Sequence, residues 1–170
     1  MPIRPATEQD LPAILAITNH AILHTTASWQ TKPHTIEMRA AWLAERQAAG
    51  LPVLVAEIDG EVAGYGSYGS FRAYEGYALT VEHSVYIEER FQRRGLGQAL
   101  LASLIDHATE AGMHVMVGVI SAENAVSIAL HERFGFEITG RLPEVGRKFD
   151  RWLNLVLMQK ILQRPASQAD

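Results

Sequence analysis

Glu82-His83-Ser84-Val85-Tyr86-Ile87, followed closely by Gln92-Arg93-Arg94-Gly95-Leu96-Gly97, is the stretch that decides the fold. The first run is β-branched and aromatic and predicts a strand, in which His83, Val85 and Ile87 alternate with their neighbours. Beyond the second run, apolar residues recur at the spacing of a helix: Leu96, Leu100, Leu104, Ala108 and Ala111. A strand that leads through such a turn into a helix presents free N–H groups and a positive dipole end. The stretch therefore predicts an anion site, for which a phosphate group is the simplest ligand.

Three kinds of phosphate-binding turn are compared with Gln92–Gly97. A P-loop requires Gly followed by Lys and Ser or Thr, and the chain has no such sequence. A dinucleotide turn requires a small residue at position 100 and an acidic residue about 20 positions after the turn. The chain has Leu100 at the first position and Met116 and Val117 near the second, so this pattern does not fit. The acyl-coenzyme A pattern Gln/Arg-x-x-Gly-x-Gly/Ala is matched at every fixed position. The remaining alternative is a glycine turn that only starts a helix.

With this turn, the chain resembles the GCN5-related N-acetyltransferase (GNAT) family. The resemblance implies acetyl-CoA as co-substrate, and an α/β fold with a mixed, largely antiparallel central sheet and helices on both faces. The cofactor-binding residues it implies are Val85, Tyr86, Ile87, Arg93, Arg94, Gly95, Leu96, Gly97, Gln98, Asn124 and Ser127.

The order of predicted elements agrees with this fold and extends over nearly the whole chain. A mixed α/β sheet follows from strands interleaved with helices. The elements expected are a strand at 3–5, a helix capped at Thr7, a helix from Thr35 to Gly50, strands at 53–58 and 62–68, the central strand and its helix, a strand at 113–120, a helix at 124–134, and strands at 136–140 and 153–160. A loop through Pro143 and Gly146 is expected to join the last two strands.

Composition limits the possible partners. The chain has 170 residues, 48% hydrophobic and 20% charged, with a formal net charge of −4 and no cysteine. We expect a single domain over residues 1–162 and a polar, frayed tail at 163–170. The net charge argues against a nucleic-acid partner, and the absence of cysteine excludes thiolate catalysis and cysteine-based metal sites. We expect no metal site, no membrane segment and a cytoplasmic location.

A second motif begins at Asn124 and ends in Gly135-Phe136. In the family, this region flanks the pantetheine arm and the pyrophosphate; Asn124 could equally be only a helix N-cap. Many family members carry Tyr where this chain has His131, as the acid that protonates the leaving thiolate. His131-Glu132, together with the central Glu-x-Ser-Val-Tyr run, resembles the phosphinothricin and methionine sulfoximine acetyltransferase subfamily. His131 is thus a candidate acid or, alternatively, a packed helix residue.

The acceptor side requires a base, because an amine attacks a thioester only as the free base. Glu82 is the favoured base, since a family glutamate holds the same relation to the Ser-Val-Tyr run; the alternative is a solvent-facing edge glutamate. Glu88 and Glu89 are expected to be more solvated. Backbone N–H groups of Val85 to Ile87 are expected to polarise the thioester carbonyl.

The substrate pocket is expected in the less regular segments. Arg72 offers two parallel donors to a carboxylate, and nearby aromatic residues offer walls. The candidate substrate-binding residues are Trp29, Arg72, Tyr74, Glu75, Gly76 and Tyr77. The favoured function is acetylation of a small amino acid or analogue by direct transfer in a ternary complex. The alternatives are acetylation of a protein N-terminus or another amine, and a non-catalytic acyl-CoA sensor. A homodimer through the C-terminal strands is also expected.

Overall fold

A computed structural model describes residues 2–162 of the chain. The main elements are β1 (Ile3–Pro5), α1 (Leu11–His24), α2 (Ile36–Ala48), β2 (Val53–Ile58), β3 (Glu61–Ser70), β4 (Thr80–Ile87), α3 (Leu96–Glu110), β5 (Val115–Ser121), α4 (Ala125–Arg133), β6 (Glu137–Lys148) and β7 (Arg151–Ile161). Short 3-10 turns precede α1 and flank β4. The expected tail at 163–170 lies outside the described residues.

The seven strands form one mixed sheet in the order β1-β2-β3-β4-β5-β7-β6. Every neighbouring pair is antiparallel except β4 and β5, which run parallel. The parallel ladder is short: it begins at Thr80–Val115 and ends at His83–Gly118. Both strands continue beyond this point without pairing to each other, so the centre of the sheet is open there.

Helices cover both faces of the sheet, which confirms the predicted fold class. Leu11 and Ile14 of α1 and Leu43 of α2 pack with Val53 and Val55 of β2 on one face. On the other face, Leu96 and Leu100 of α3 pack with Ala56 and Ala63. Ile128 and Leu130 of α4 join the cluster that contains Leu104 of α3, so α4 lies on the α3 face.

Local signals place several element ends where the sequence predicts them. The hydroxyl of Thr35 accepts a hydrogen bond from the backbone N–H of Met38 and caps α2. Asp59 and Gly60 both have positive φ, 51° and 82°, and turn β2 into β3. Such a turn favours residues that tolerate positive φ, which explains why Asp-Gly is a hairpin signal. None of the helices within residues 2–162 is both long and apolar enough to cross a membrane.

The predicted end of the sheet is wrong in its bounds. The segment through Pro143 and Gly146 is not a loop: β6 continues to Lys148, and the hairpin turn lies at Phe149 and Asp150, whose φ angles are 52° and 56°. Proline suggested a break, but β6 pairs only with β7 and is an edge strand, where a missing N–H is tolerated. A register shift between Leu142 and Gly146 absorbs the irregularity.

Candidate active site

The central strand β4 presents different side chains to the two faces of the sheet, because successive residues of a strand point in opposite directions. Val85 and Ile87 pack with the α3 residues of the core, whereas Tyr86 packs with the α1 and α2 residues. Glu82 therefore lies on the α1–α2 face with Tyr86, and His83 lies on the α3–α4 face. Both residues stand where the ladder between β4 and β5 ends.

The turn between β4 and α3 leaves a row of backbone donors free. Arg93 and Gly95 both have positive φ, 60° and 80°, and α3 starts at Leu96. The first backbone bond of the helix runs from the N–H of Ala99 to the carbonyl of Gly95. Among the described residues, the N–H groups from Arg93 to Gln98 donate to no backbone or side-chain acceptor. Consecutive free amides at a helix N-terminus suit a phosphate group, so the turn fits the pyrophosphate of coenzyme A.

A groove of about 1800 Å³ runs along the opening between β4 and β5. It brings together most of the predicted cofactor-binding residues: Val85, Tyr86, Ile87, Arg93, Gly95, Leu96, Gly97, Gln98, Asn124 and Ser127. His131 lies in its wall as well. Arg94 is not part of the lining; its guanidinium carbon lies 5.6 Å from the ring centre of Phe91.

Asn124 has the structural role that was one of its two interpretations. Its side-chain oxygen accepts a hydrogen bond of 3.0 Å from the backbone N–H of Ser127 and caps α4. This bond fixes the start of α4 at the groove. Asn124 is therefore both the N-cap of α4 and part of the groove lining, so its structural role does not conflict with the predicted role in binding the cofactor.

His131 is buried and hydrogen-bonded on both ring nitrogens. Its Nδ1 lies 2.7 Å from the carbonyl oxygen of Ser127, and its Nε2 lies 3.0 Å from Nε2 of His83. Burial lowers the pKa of His131. The partnership with His83 was missed, because the alternation of the strand makes position 83 an apolar-facing position and no local signal shows what packs there. The one sequence signal for this contact is that a histidine, His83, occupies an apolar-facing position of the strand.

Glu82 is half-buried rather than fully exposed. Burial raises the pKa of its carboxyl group, and the positive charge of Arg72 opposes that rise. A carboxylate with a raised pKa holds a proton more readily, which suits a group that must take one from an amine. The pKa of Glu82 therefore depends on the charge of Arg72 as well as on burial.

The six predicted substrate-binding residues do not line the groove. Trp29, in the segment between α1 and α2, packs its ring on Gly146 of β6. Arg72 is exposed, with its guanidinium carbon 4.3 Å from the ring centre of Phe71. Tyr74 and Tyr77 are 76% and 40% exposed. Glu75 and Gly76 lie between these two tyrosines, in the short 3-10 turn Glu75–Tyr77. The structure thus places five of the six in one exposed segment before β4.

A buried arginine on the α1–α2 face was not predicted. Arg39 of α2 is 6% exposed, and its guanidinium carbon lies 3.7 Å from the ring centre of Trp42. Two of its nitrogens, Nε and Nη2, have no hydrogen-bond partner among the described residues. Desolvation lowers the pKa of this guanidinium. In the sequence, Arg39 is one charged residue of an amphipathic helix, and nothing in the pattern distinguishes it from the exposed charged residues.

Comparison with known proteins agrees with this geometry. A family model described as an acetyltransferase (GNAT) domain matches residues 3–157. The chain is 48% identical to an L-methionine sulfoximine/L-methionine sulfone acetyltransferase of Salmonella typhimurium, over 98% of each chain. It is 37% identical to a phosphinothricin N-acetyltransferase of Streptomyces viridochromogenes, over 96% of this chain and 89% of the relative. The resemblance to this subfamily is therefore confirmed.

Solved structures show the same fold. A Salmonella typhimurium acetyltransferase solved with its cofactor acetyl-CoA superposes with a TM-score of 0.94 at 48% identity, covering 97% of this chain and 95% of that one. A ribosomal-protein-alanine N-acetyltransferase of Brucella melitensis also superposes with a TM-score of 0.94, at 51% identity, covering 95% of this chain and 100% of that one. The chain belongs to the GNAT acetyltransferase family and is an N-acetyltransferase that takes its acetyl group from acetyl-CoA.

Proposed function

We propose that the protein acetylates the amino group of a small amino acid or analogue of the methionine sulfoximine, methionine sulfone or phosphinothricin type. The observation that carries the proposal is the half-buried carboxyl group of Glu82 at the end of the β4–β5 ladder; burial raises its pKa, and the positive charge of Arg72 opposes that rise. A zwitterionic substrate requires both features: an acceptor for the ammonium proton and a cation for the carboxylate. The names of the relatives support the same class of substrate.

Each group of the site has a role in direct transfer. Acetyl-CoA, when bound, supplies the acetyl group as a thioester. The free amides from Arg93 to Gln98 would hold its pyrophosphate. Glu82 takes a proton from the ammonium group and leaves a free amine. The unpaired edge of β4 beyond His83 supplies N–H groups that polarise the thioester carbonyl as the amine attacks. Arg72 binds the substrate carboxylate and so directs the amine to Glu82.

A thiol-release assay with acetyl-CoA tests the proposal. The acceptor panel contains methionine sulfone, methionine sulfoximine, phosphinothricin, their carboxamides, and short peptides with N-terminal alanine. We expect the highest kcat/KM for the free amino acids. A preference for the peptides would instead support the protein N-terminal alternative, which the name of the Brucella melitensis structure favours. Binding of acetyl-CoA without turnover of any amine would support the sensor alternative.

We also propose a homodimer formed through the C-terminal hairpin. Apolar side chains there are unusually exposed: Val145 by 50%, Phe149 by 49% and Trp152 by 60%. They lie on β6, the edge strand of the sheet, on β7 and in the turn between them. An exposed apolar edge favours association with another chain. Sedimentation of Trp152→Glu should show a smaller species than the unaltered protein, and an unchanged mass would remove this surface from the interface.

The remaining expectations concern location and partners. Dependence on acetyl-CoA supports a cytoplasmic location, where this co-substrate is made and used. The formal net charge of −4 supports the expectation that nucleic acid is not a partner. Fractionation of cells and a nucleic-acid retention assay would test these two points directly.

A further inference from the structure

Lys148 of β6 is a buried lysine that the proposed mechanism does not use. It is 4% exposed, and within residues 2–162 it forms no ion pair with a carboxylate. Its Nζ instead donates to three backbone carbonyls, those of Thr25 at 2.6 Å, Ser28 at 2.5 Å and Ala21 at 3.5 Å. An ammonium group has three hydrogens, so these carbonyls use all of its donors. Lys148 therefore joins the edge of the sheet to the end of α1 and to the segment that follows.

The end of α1 supplies acceptors for this lysine. The helix ends at His24, with Ala21 in its last turn and Thr25 as its C-cap residue. The last carbonyls of a helix have no partner within it and form the negative end of its dipole, where a cation is favoured. Burying an ammonium group is costly, and an apolar side chain of similar size often gives equal stability. What the lysine adds is geometry, because only a donor can hold carbonyls from the helix and from the next segment at one point.

Gly146 makes a second contact with the same segment. It lies two residues before Lys148 in regular pairing with β7, so both residues face the same side of β6. A Cβ at Gly146 would lie 2.2 Å from Cζ3 and 2.3 Å from Cε3 of Trp29, so the indole ring lies directly on the backbone of the strand. The indole N–H donates to the carbonyl of Thr26 at 3.1 Å. β6 therefore holds residues 25–29 at two points, by their carbonyls and by the indole ring.

The part of the chain that β6 holds forms one side of the groove. Four of its residues, which we call the acceptor wall, line the groove: Ala21, His24, Thr25 and Ala27. The wall belongs to α1 and its C-terminal end, and α1 packs on the face of the sheet where Glu82 lies. The cofactor turn instead leads into α3, on the other face. An amine that gives its proton to Glu82 approaches from the α1–α2 face, and the acceptor wall is the side of the groove that meets it.

We propose that Lys148 and Gly146 are positioning residues that fix the acceptor wall and thereby determine how tightly the enzyme binds its amine substrate. The proposal rests on the proposed function. Neither residue lines the groove, so both act through the segment that they hold. The same arrangement gives Trp29, a predicted substrate-binding residue, a different role. Its ring anchors the acceptor wall to β6 and is not part of the groove lining.

Steady-state kinetics with methionine sulfone as acceptor test the proposal. Lys148→Met removes the three donors and keeps an unbranched side chain. It should raise KM for methionine sulfone about tenfold to a hundredfold, the scale on which a small displacement of a substrate-positioning group acts, with a smaller change in kcat. The Kd for acetyl-CoA should stay unchanged. Lys160→Met, at a lysine of β7 outside the groove, is the matched control and should keep the unaltered KM. An unchanged KM in folded Lys148→Met, or an equal rise in the Kd for acetyl-CoA, would overturn the proposal.

Gly146→Ala perturbs the same wall without removing a charge. Its Cβ must displace the ring of Trp29, so KM for methionine sulfone should rise as in Lys148→Met. In the double variant the combined rise should be smaller than the product of the two single effects, because both substitutions release one segment. Effects that multiply would show that the two residues do not act through a common segment, and would overturn the proposal.

Indole ¹⁵N–¹H NMR of the free protein gives a readout that needs no substrate. Lys148→Met and Gly146→Ala should each shift the Nε1–H resonance of Trp29, whereas the resonance of Trp42, which lies on α2 beside Arg39, should stay in place. A Trp29 resonance that moves in neither variant would contradict the anchoring by β6. If no amine were acetylated, the proposed function would fail, whereas this spectrum would still decide whether β6 holds the wall.

Discussion

The two faces of β4 carry ionisable groups of opposite kinds. On the α1–α2 face, Glu82 is half-buried and near the charge of Arg72. On the α3–α4 face, His83 and His131 are buried, bonded to each other and neutral. Acetyl transfer from a thioester to an amine requires two proton movements, one at the amine and one at the sulfur. The difference between the faces teaches that one position along a strand decides how far an ionisable group is desolvated: Glu82 keeps part of its contact with solvent, whereas His83 loses it.

Both faces depend on one cofactor position, so the largest effect is expected at the turn that would hold it. Gly95→Val should abolish measurable acetyl-CoA binding. The φ of 80° at Gly95 costs a non-glycine residue about 1–2 kcal/mol, and the added methyl groups enter space that a phosphate needs. Calorimetry measures the loss. Gly50→Val is the matched control, because its φ is 68° and nothing lies within 4 Å of an added Cβ, as at Gly95. Equal binding in both variants would remove the turn from the cofactor site.

Glu82→Gln should lower kcat by roughly 10² to 10⁴ at neutral pH, since it removes the proposed base. The defect should shrink as pH rises, because bulk solvent then supplies free amine. In the unaltered protein, activity should fall as pH decreases through the raised pKa of Glu82, since the protonated carboxyl group cannot take up a proton. A pH–rate profile measures both effects. Glu45→Gln on α2 is the control, and a wild-type rate in Glu82→Gln would assign the base to water or backbone.

Arg72→Ala should raise KM for free amino acids by roughly tenfold to a hundredfold and leave KM for their amides nearly unchanged, since a charge-assisted pair contributes about 1.5–3 kcal/mol. It should also shift the acid limb of the pH–rate profile to higher pH, because Arg72 opposes the raised pKa of Glu82. Steady-state kinetics on paired acid and amide substrates measure both. Arg141→Ala, on β6, is the control. Equal effects on acids and amides would place Arg72 outside the substrate site.

The smallest expected effect is on stability, where the two faces should respond to pH in opposite directions. The folded-state pKa of Glu82 lies above its ordinary value, so its contribution to the free energy of unfolding falls as pH rises through that raised pKa. The pKa of His83 falls from 6.5 to about 3, so its contribution is complete above pH 6.5 and is lost as pH decreases toward 3.

Urea unfolding across pH separates the two contributions. Glu82→Gln should stabilise the protein near neutral pH, and His83→Gln should weaken the loss of stability on acidification. If both substitutions changed the pH dependence of the free energy of unfolding in the same direction, the contrast between the two faces would be wrong. The acetyl-CoA Kd of each variant serves as the check that the native fold is retained.

Features that depend on neighbouring residues were predicted with good bounds. The cap at Thr35, the turn at Asp59-Gly60 and the helix that follows Gly95 each rest on the conformational preference of one or two residues. The row of free amides follows from the same local geometry, because any helix leaves its first N–H groups unpaired. The turn between β4 and α3 is therefore a local feature, which its sequence pattern is sufficient to predict.

Features that depend on distant parts of the chain were missed or misplaced. The true length of β6 depends on its pairing with β7 and on its position at the edge of the sheet. Arg39 is buried because α2 packs against the sheet, where the guanidinium carbon of Arg39 lies 5.8 Å from the ring centre of Tyr65 in β3. His83 has meaning only with His131, 48 residues away along the chain. Local preferences contain no information about such contacts.

The sequence by itself determined the element order, the phosphate-type turn and the family resemblance, because each follows from residue preferences over short spans. Only the tertiary structure decided which side chains share a face, where β4 and β5 separate, and that His83 and His131 meet. The physical reason is that desolvation and hydrogen-bond partnership are set by packing between elements. Burial, the largest cause of both shifts, raises the pKa of Glu82 and lowers that of His83, one position along the same strand.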